Sequence, residues 1–274
     1  MAFVDSFVAQ IVAVEVALYH AHARMNAKTD SEALHDLRIN LRRIRSLLRP
    51  LREIEGITPL NEAAAEVGRL TTPERDLEVL IEELEAQGFT KQANVRKANL
   101  QTRYSRIVKS RAVNQLFSQL DEWPPLFRTA ERAGALRNIK KQITKRLHKQ
   151  VERLKTALAD PQFDRHQLRI LVKRTRYLND AFPQLSPLSG EAAASLKTVQ
   201  TALGSWHDHF QWCLKARHEK DLQPLAEAWH AAAETALLKA EAQLAKLLRL
   251  LATKKRLPQR SAENKGLPMR GNAT

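Results

Sequence analysis

The chain has 274 residues, 43% of them hydrophobic, which is enough to bury one or two cores. Its 45 Lys and Arg against 30 Asp and Glu give a formal net charge of +15, which predicts a nucleic acid, an anionic membrane surface or another polyanion as partner. The single cysteine, Cys213, excludes an internal disulfide and a cysteine-based zinc site. There is no N-terminal basic segment followed by an apolar stretch, and no run of about 18 apolar residues, so we expect a soluble, cytoplasmic protein.

Apolar residues recur at intervals of three and four, and no sustained stretch alternates at two, which predicts an all-α fold. In chain order, helices are expected at roughly 4–27, 31–54, 60–87, 91–119, 128–158, 163–182, 190–221 and 225–252. Short breaks separate them, among them Trp123-Pro124-Pro125, whereas Thr72-Pro73 could cap or kink the third helix. Residues 253–274 are basic, poor in apolar residues and expected to form a disordered tail.

The predicted second helix carries six basic residues at steps of three and four, a spacing that aligns them on one face. They are His35, Arg38, Arg42, Arg45, Arg49 and Arg52. Each directly follows a residue of the apolar seam, which consists of Leu34, Leu37, Leu41, Ile44, Leu48 and Leu51, so the basic line should flank the core. Solvated helices normally mix charges because Glu–Lys pairs stabilise them, yet residues 37–52 contain no acid.

The same pattern returns at an offset of 131 residues. The basic positions are His35, Arg38, Arg42, Arg43 and Arg45 in the first copy, and His166, Arg169, Lys173, Arg174 and Arg176 in the second. The simplest explanation is a duplicated unit of four helices, with halves at about 4–122 and 128–252 inside one domain of residues 1–252. We therefore predict two four-helix bundles related by a pseudo-twofold axis.

Residues 136–155 form a third cationic segment, in which Lys141, Lys145 and His148 line up and Glu152 is the only acid. A run of charge on one helix is usually only a solvated face. Three cationic helices, two of them in the same register, instead favour a surface that binds a polyanion.

Phosphate is the anion that best suits these side chains, because arginine offers a planar fork of donors to its oxygens. Nucleic acid is the generic choice, but base stacking usually requires aromatic residues, and only 5% of this chain is aromatic. Tyr104 and Tyr177 are the aromatic residues that adjoin the basic lines. Regular cationic rows suit a phosphate chain without bases at least as well.

Four segments, in this order, resemble the landmarks of the CHAD family, the conserved histidine α-helical domain. They are LHDLRINLRRIRSLLRPL, TTPERDLEVL, HQLRILVKRTRYLNDAF and QTALGSWHDHF, and the resemblance spans roughly residues 5–250. It implies two four-helix bundles around a basic central groove, and non-catalytic binding of inorganic polyphosphate. Some members are associated with polyphosphate or polyhydroxyalkanoate granules, and others are fused to a triphosphate tunnel metalloenzyme. The ExExK pattern of that enzyme is not found, so a stand-alone member is expected.

The resemblance implies that the ten basic positions of the two copies bind polyphosphate. Lys141, Lys145 and His148 are added on the strength of the local charge line. The carboxylates of Asp76 and Asp208, in the pairs Arg75-Asp76 and His207-Asp208, are each expected to hold an arginine of the basic lines in place. Because a phosphate favours the protonated form of a nearby histidine, binding should tighten at mildly acidic pH.

No phosphate-binding Walker loop, carboxylate-rich metal cluster or Ser-His-Asp order is found, so we expect neither catalysis nor a cofactor nor a metal site. His20 and His22, like His207 and His209, are two residues apart and would point to different faces of a helix. Two alternatives stay open. One is an architectural protein that binds nucleic acid, favoured by the basic stretch Lys254–Arg260, and the other is a metal-dependent phosphate-chain hydrolase.

Overall fold

The computed structural model describes residues 2–54 and 56–252. Within these ranges the chain forms α-helices and short 3-10 segments and no strand, which confirms the all-α prediction. The helices are α1 (Ala2–Ala27), α2 (Ala33–Leu48), α3 (Ile57–Leu70), α4 (Thr72–Ala86), α5 (Thr90–Lys97), α6 (Leu100–Val108), α7 (Arg111–Arg132), α8 (Ile139–Ala159), α9 (Arg165–Ala181), α10 (Gly190–Ala216) and α11 (Ala226–Ala252). The 3-10 segments are Arg49–Leu51, Pro183–Leu185 and Lys220–Leu225. The predicted disordered tail at 253–274 lies outside the described residues.

The hydrophobic interior consists of two clusters of unequal size. The larger is built from α1 to α7 and continues into the start of α8 and, through Trp212 and Trp229, into α10 and α11. The smaller lies among α8, α9, α10 and α11, around Leu154, Val172 and Leu203. The Trp229 indole N–H also donates to Glu83 of α4 at 3.0 Å. The larger cluster therefore joins N-terminal helices to C-terminal ones, whereas the smaller is made of C-terminal helices alone.

The predicted third helix is two helices that meet at Thr71. This buried threonine donates its hydroxyl to the Val67 carbonyl at 2.8 Å, and Pro73 falls in the first turn of α4, where a missing N–H costs nothing. The predicted fourth helix is likewise divided into α5, α6 and α7. Ser110 begins α7 by accepting a hydrogen bond from the Val113 amide at 3.3 Å.

The predicted break at Trp123-Pro124-Pro125 is wrong, because α7 runs through both prolines. A proline inside a helix costs roughly 3 kcal/mol, and aromatic packing offsets that cost here. Trp123 and Phe127 are each 1% exposed, their rings stack at 4.5 Å, and both contact the ring of Phe7 on α1. The turn at Gly134, with φ of +82°, follows the end of α7, and α8 begins at Ile139 instead of near residue 128.

Helix α1 is strongly apolar, although the sequence contains no uninterrupted run of about 18 apolar residues. Its span Phe3–Ala27 has a mean hydropathy of 1.4, and by length and composition alone it could cross a membrane. One face, formed by Phe7, Ile11, Val14 and Leu18, is fully buried against the rest of the fold. A core helix of a soluble protein has the same properties, so the apolar character of α1 is weak evidence for a membrane.

Candidate polyanion-binding site

A pocket of about 360 Å³ opens between α2 and α9, which pack against each other. Its wall is completed by Gly68 and Arg69 of α3, Thr72 of α4 and Gln150 of α8. The cationic residues that line it are Arg38, Arg42, Arg45, Arg49, Arg69, Lys173 and Arg174. Within the described part of the chain, no Asp or Glu contributes to this wall.

The apolar seam of α2 places four of these cations. Leu34, Leu37, Leu41, Ile44, Leu48 and Leu51 are at most 2% exposed, and the basic residue after each lies on the flank of the core, as predicted. On α9 the seam contains Thr175 where α2 has Ile44. This threonine is buried, donates to the Leu171 carbonyl at 2.8 Å and accepts from the Gln150 amide at 3.1 Å. Its polar group is thus satisfied, and the helix keeps its register.

Arg38 is fixed at the junction of α3 and α4. Its Nη1 donates to the Gly68 carbonyl at 3.1 Å, to the Thr71 hydroxyl at 2.7 Å and to the Thr72 hydroxyl at 3.2 Å. Burial and the neighbouring charge of Arg42 lower the pKa of Arg38, while Asp76 acts in the opposite direction. The break at Thr71 therefore supplies the oxygens that orient the first arginine of the pocket.

Arg45 of α2 and Arg49, at the start of the 3-10 segment that follows it, have no carboxylate partner among the described residues. Burial, together with the charges of Arg69 and Arg174, lowers the pKa of Arg45. Burial and the charges of Arg174, Arg45 and Arg52 lower the pKa of Arg49 to about 10. The Nε of Arg45 is buried and lacks a hydrogen-bond acceptor. A buried donor without an acceptor costs about 1–3 kcal/mol, which an anion in the pocket would recover.

The pKa of Lys173, like that of Arg49, is strongly lowered. Burial and the charges of Arg169, Arg42 and Arg38 lower its pKa to about 8. Cations from two helices thus crowd one half-buried space, and their mutual repulsion would be relieved by a bound anion.

A family model for the CHAD domain matches residues 12–217, a range that includes every residue lining the pocket. The chain belongs to the CHAD domain family. Among solved structures, the CHAD domain from the plant Ricinus communis is similar with a TM-score of 0.62 and 21% identity, and the match covers 92% of each chain. PptA from Streptomyces chartreusis is similar with a TM-score of 0.57 and 15% identity over 88% of this chain and 98% of that one. No match was found among curated proteins. At these identities the two structures establish the fold of this CHAD domain.

Beyond the pocket, the line of basic residues continues to Arg169, His166 and His207. We call the pocket cations together with these three residues the tract. The two histidine rings lie 5.1 Å apart between centroids. The Arg169 Nε and the His207 Nδ1 are both buried without hydrogen-bond partners. Burial, Arg169, His166 and Lys173 lower the pKa of His207 to about 4.

Asp76 and Asp208 lie in the electric field of this tract. Loss of hydration raises the pKa of both carboxyls, while Arg38 pulls that of Asp76 down and Arg169 pulls that of Asp208 down. Within the described residues neither carboxylate forms an ion pair within 4.0 Å. The structure therefore places them close to Arg38 and Arg169 without a direct bond, and their expected positioning role stays a prediction.

Not every predicted site residue reaches the pocket. Arg38, Arg42, Arg45, Lys173 and Arg174 line it, whereas His35, Arg43, His166, Arg169 and Arg176 do not. Lys141, Lys145 and His148 lie exposed on α8 and do not contribute to the wall either.

Three residues of this region are not among those the sequence predicts: Arg49 and Arg69, which line the pocket, and His207, which lies beyond it. Arg49 continues the basic line, but the repeated motif ends at Arg45. Arg69 is the only basic residue of α3, so no pattern in the sequence points to it. His207 could have been found from its proximity in sequence to Asp208, although only the fold shows that its ring faces His166.

Among the described residues, no three His, Cys, Asp or Glu side chains are grouped closely enough to hold a metal ion.

Proposed function

We propose that this CHAD domain binds inorganic polyphosphate in the pocket between α2 and α9, without catalysing a reaction. The observation that carries the proposal is the convergence of seven cationic side chains from three helices on one pocket whose described wall contains no carboxylate. Six of the seven are arginines, whose forked donors match phosphate oxygens. The unpartnered Nε of Arg45 adds a donor that a phosphate oxygen could accept from.

The aromatic content of the pocket favours a chain without bases. Tyr177 is the aromatic residue of the described wall, and the guanidinium carbons of Arg42 and Arg176 lie over its ring at 5.3 and 5.4 Å. A ring engaged by two guanidinium groups is a poor platform for stacking a nucleobase. Nucleic acid, the second candidate, would be held through its phosphates only, and the net charge of +15 is the observation that favours it.

The repeated register supports the finer architecture that we propose. Helices α2 and α9 carry the same basic positions 131 residues apart and face each other across the pocket. We propose that they are equivalent helices of a duplicated unit, related by a pseudo-twofold axis, and that the pocket is part of the basic central groove. Association with polyphosphate or storage granules would follow from binding a long chain, and it belongs to the same proposal.

Competition among polyanions tests the function. Long-chain polyphosphate, duplex DNA and heparin compete for the wild-type protein and for Arg42→Glu/Lys173→Glu at about 150 mM salt, where exposed charges are well screened. We expect polyphosphate to bind most tightly and the variant to lose at least about tenfold in affinity, or about 1.4 kcal/mol. A matched variant, Lys91→Glu/Lys246→Glu, changes the same charge at exposed sites away from the pocket and should lose far less.

Two results would refute the proposal. Equal or tighter binding of DNA would favour the architectural alternative. Release of orthophosphate from polyphosphate on addition of Mg²⁺ or Mn²⁺ would show that the protein is a hydrolase.

A further inference from the structure

The outward face of α8 is a second concentration of positive charge. Lys141, Lys145 and Lys149 follow one another at intervals of four and are exposed, so they form a row along the helix. His148, Arg153 and Lys155 lie beside this row, and Glu152 is the only acid in the helix. We call Lys141, Lys145 and Lys149 the α8 row. Within the described residues none of these lysines forms an ion pair, and neither does Arg153 or Lys155.

The α8 row is separate from the pocket. Helix α8 faces the core with Ile143, Leu147 and Leu154, and at 100° per residue Gln150, which lines the pocket, falls on that same side. Lys141 and Lys145 fall on the opposite side, across a helix about 10–12 Å in diameter. A polyanion segment held by the pocket residues would have to pass around the helix to reach them.

Neighbouring elements do little to neutralise the row. Glu53, on the turn after α2, pairs with Arg146 on the flank of α8, and the charges of Arg52 and Lys145 also act on it. This carboxylate therefore pairs with Arg146 and not with a lysine of the row. The row lacks the Glu–Lys pairs that usually stabilise an exposed helix.

The chemistry of the α8 row favours an extended anion over a membrane. A helix that binds in a membrane interface buries an apolar face in the lipid, but the apolar face of α8 is already packed in the core. No Phe, Tyr or Trp lies on α8 to stack a base. Evenly spaced lysines complement a repetitive phosphate chain as point charges.

We infer that the α8 row is a second polyphosphate-binding surface, so that one CHAD domain holds two polyphosphate segments and cross-links long chains. This inference rests on the proposed function of the pocket. Two sites on opposite sides of a helix engage two segments of one chain or two different chains, and the second engagement gains from effective concentration only when the chain is long enough to reach.

The test compares two substitutions that each remove three charges. Lys141→Gln/Lys145→Gln/Lys149→Gln removes the row, and Lys91→Gln/Lys239→Gln/Lys246→Gln removes three exposed lysines elsewhere. Tripolyphosphate, which is too short to reach both surfaces, reports on the pocket by calorimetry. Light scattering with long-chain polyphosphate reports on cross-linking.

We expect the row variant to bind tripolyphosphate within about twofold of the wild type and to lose most of the scattering assemblies, while the control triple keeps both. For the row variant, the slope of log affinity against log salt concentration in long-chain binding should fall by about 2, at roughly 0.7 for each lost contact. Assemblies equal to those of the wild type would overturn the inference, as would a wild-type protein that binds polyphosphate but forms no assemblies.

A row variant that lost tripolyphosphate affinity as strongly as Arg42→Glu/Lys173→Glu would also overturn the inference, because it would indicate one continuous site. A wild-type protein that bound neither phosphate ligand would instead refute the function proposed for the pocket. The two failures are therefore distinguishable.

Discussion

Arg42 on α2 lies over the ring of Tyr177 on α9, with 5.3 Å between the guanidinium carbon and the ring centroid. Arg176 lies over the same ring at 5.4 Å, and the Gln200 amide of α10 donates to the Tyr177 hydroxyl at 3.1 Å. One aromatic side chain thus links cations of both halves of the chain to a third helix. Arg176 also pairs with Asp180 at 3.4 Å, so the ring is the attractive partner that Arg42 and Arg176 share.

Replacing Tyr177 with Leu should weaken polyphosphate binding about two- to fivefold, because the loss of a cation–π contact worth roughly 0.5–1 kcal/mol leaves Arg42 less well positioned. Tyr177→Phe keeps the ring and loses only the hydrogen bond from Gln200, so its affinity should stay close to that of the wild type. Calorimetric titration with polyphosphate measures both. A stronger effect of the Phe variant would show that the hydroxyl matters and the ring does not.

Lys173 should reduce stability while it supports binding. Its pKa is about 8 in the folded protein and about 10.5 in an unfolded chain, so below pH 8 the folded state carries the full cost of charging it. That cost fades as the pH rises from 8 towards 10.5, where the unfolded chain also loses the proton. Lys173→Met should therefore raise the free energy of unfolding at pH 7 by about 1–2 kcal/mol while weakening polyphosphate binding.

Urea unfolding of the wild type and Lys173→Met at pH 7 and pH 10 measures this difference, with Lys91→Met as the control at an exposed site. The gap between the wild type and Lys173→Met should be largest at pH 7 and shrink by pH 10. A variant that was less stable than the wild type at pH 7 would show that packing by the lysine stem outweighs the cost of its charge.

The basic lines were predictable because their cations recur at the same steps of three and four as the apolar seam, one residue later. The apolar residues at the seam positions indicate which face of the helix is buried, and the cations that follow them lie on its flank. The sequence therefore predicts the orientation of both α2 and α9. The repeat adds that the two helices share this design, although Thr175 in place of an isoleucine shows that the seam tolerates a polar group whose hydrogen bonds are satisfied.

The remaining walls of the pocket depend on tertiary packing. The oxygens that hold Arg38 come from the break at Thr71, and local sequence left open whether Thr72-Pro73 kinks or separates helices. Similarly, Pro124 and Pro125 are strong local signals for a helix end, but the aromatic contacts of Trp123 and Phe127 override them. The lysines of α8 have the right spacing for a site, and only the packing of α8 shows that they face away from the pocket.

Helix α1 should behave as a core helix. Leu18 is fully buried in the larger core, so Leu18→Ala should lower the free energy of unfolding by about 2–5 kcal/mol. Val16 is exposed on the other face of the same helix, and Val16→Ala should change it by less than about 0.5 kcal/mol. Chemical denaturation of both variants in aqueous buffer measures the difference. Equal and small effects would mean that α1 does not pack in solution as it does in this structure.

Polyphosphate affinity should rise as the pH falls from 8 to 6. Lys173 gains its proton near pH 8, which makes the pocket more positive. Burial raises the pKa of the Asp76 and Asp208 carboxyls, so protonation of either group would act in the same direction. His207 would add a further charge only near pH 4. Binding titrations at fixed salt and several pH values measure the trend, and an affinity that did not change with pH would contradict it.

The variant Asp208→Asn tests whether this carboxylate acts mainly by repelling the phosphate chain or by positioning Arg169. Its charge lies among those of Arg169, Lys173, Asp76 and His209, and it makes no ion pair within 4.0 Å among the described residues. Removing it should therefore tighten polyphosphate binding at pH 7 about three- to tenfold, or roughly 1 kcal/mol. Glu227→Gln, at an exposed position of α11, controls for net charge. Weaker binding by Asp208→Asn, with Glu227→Gln unchanged, would show that the carboxylate positions Arg169 and that its repulsion of the phosphate chain matters less.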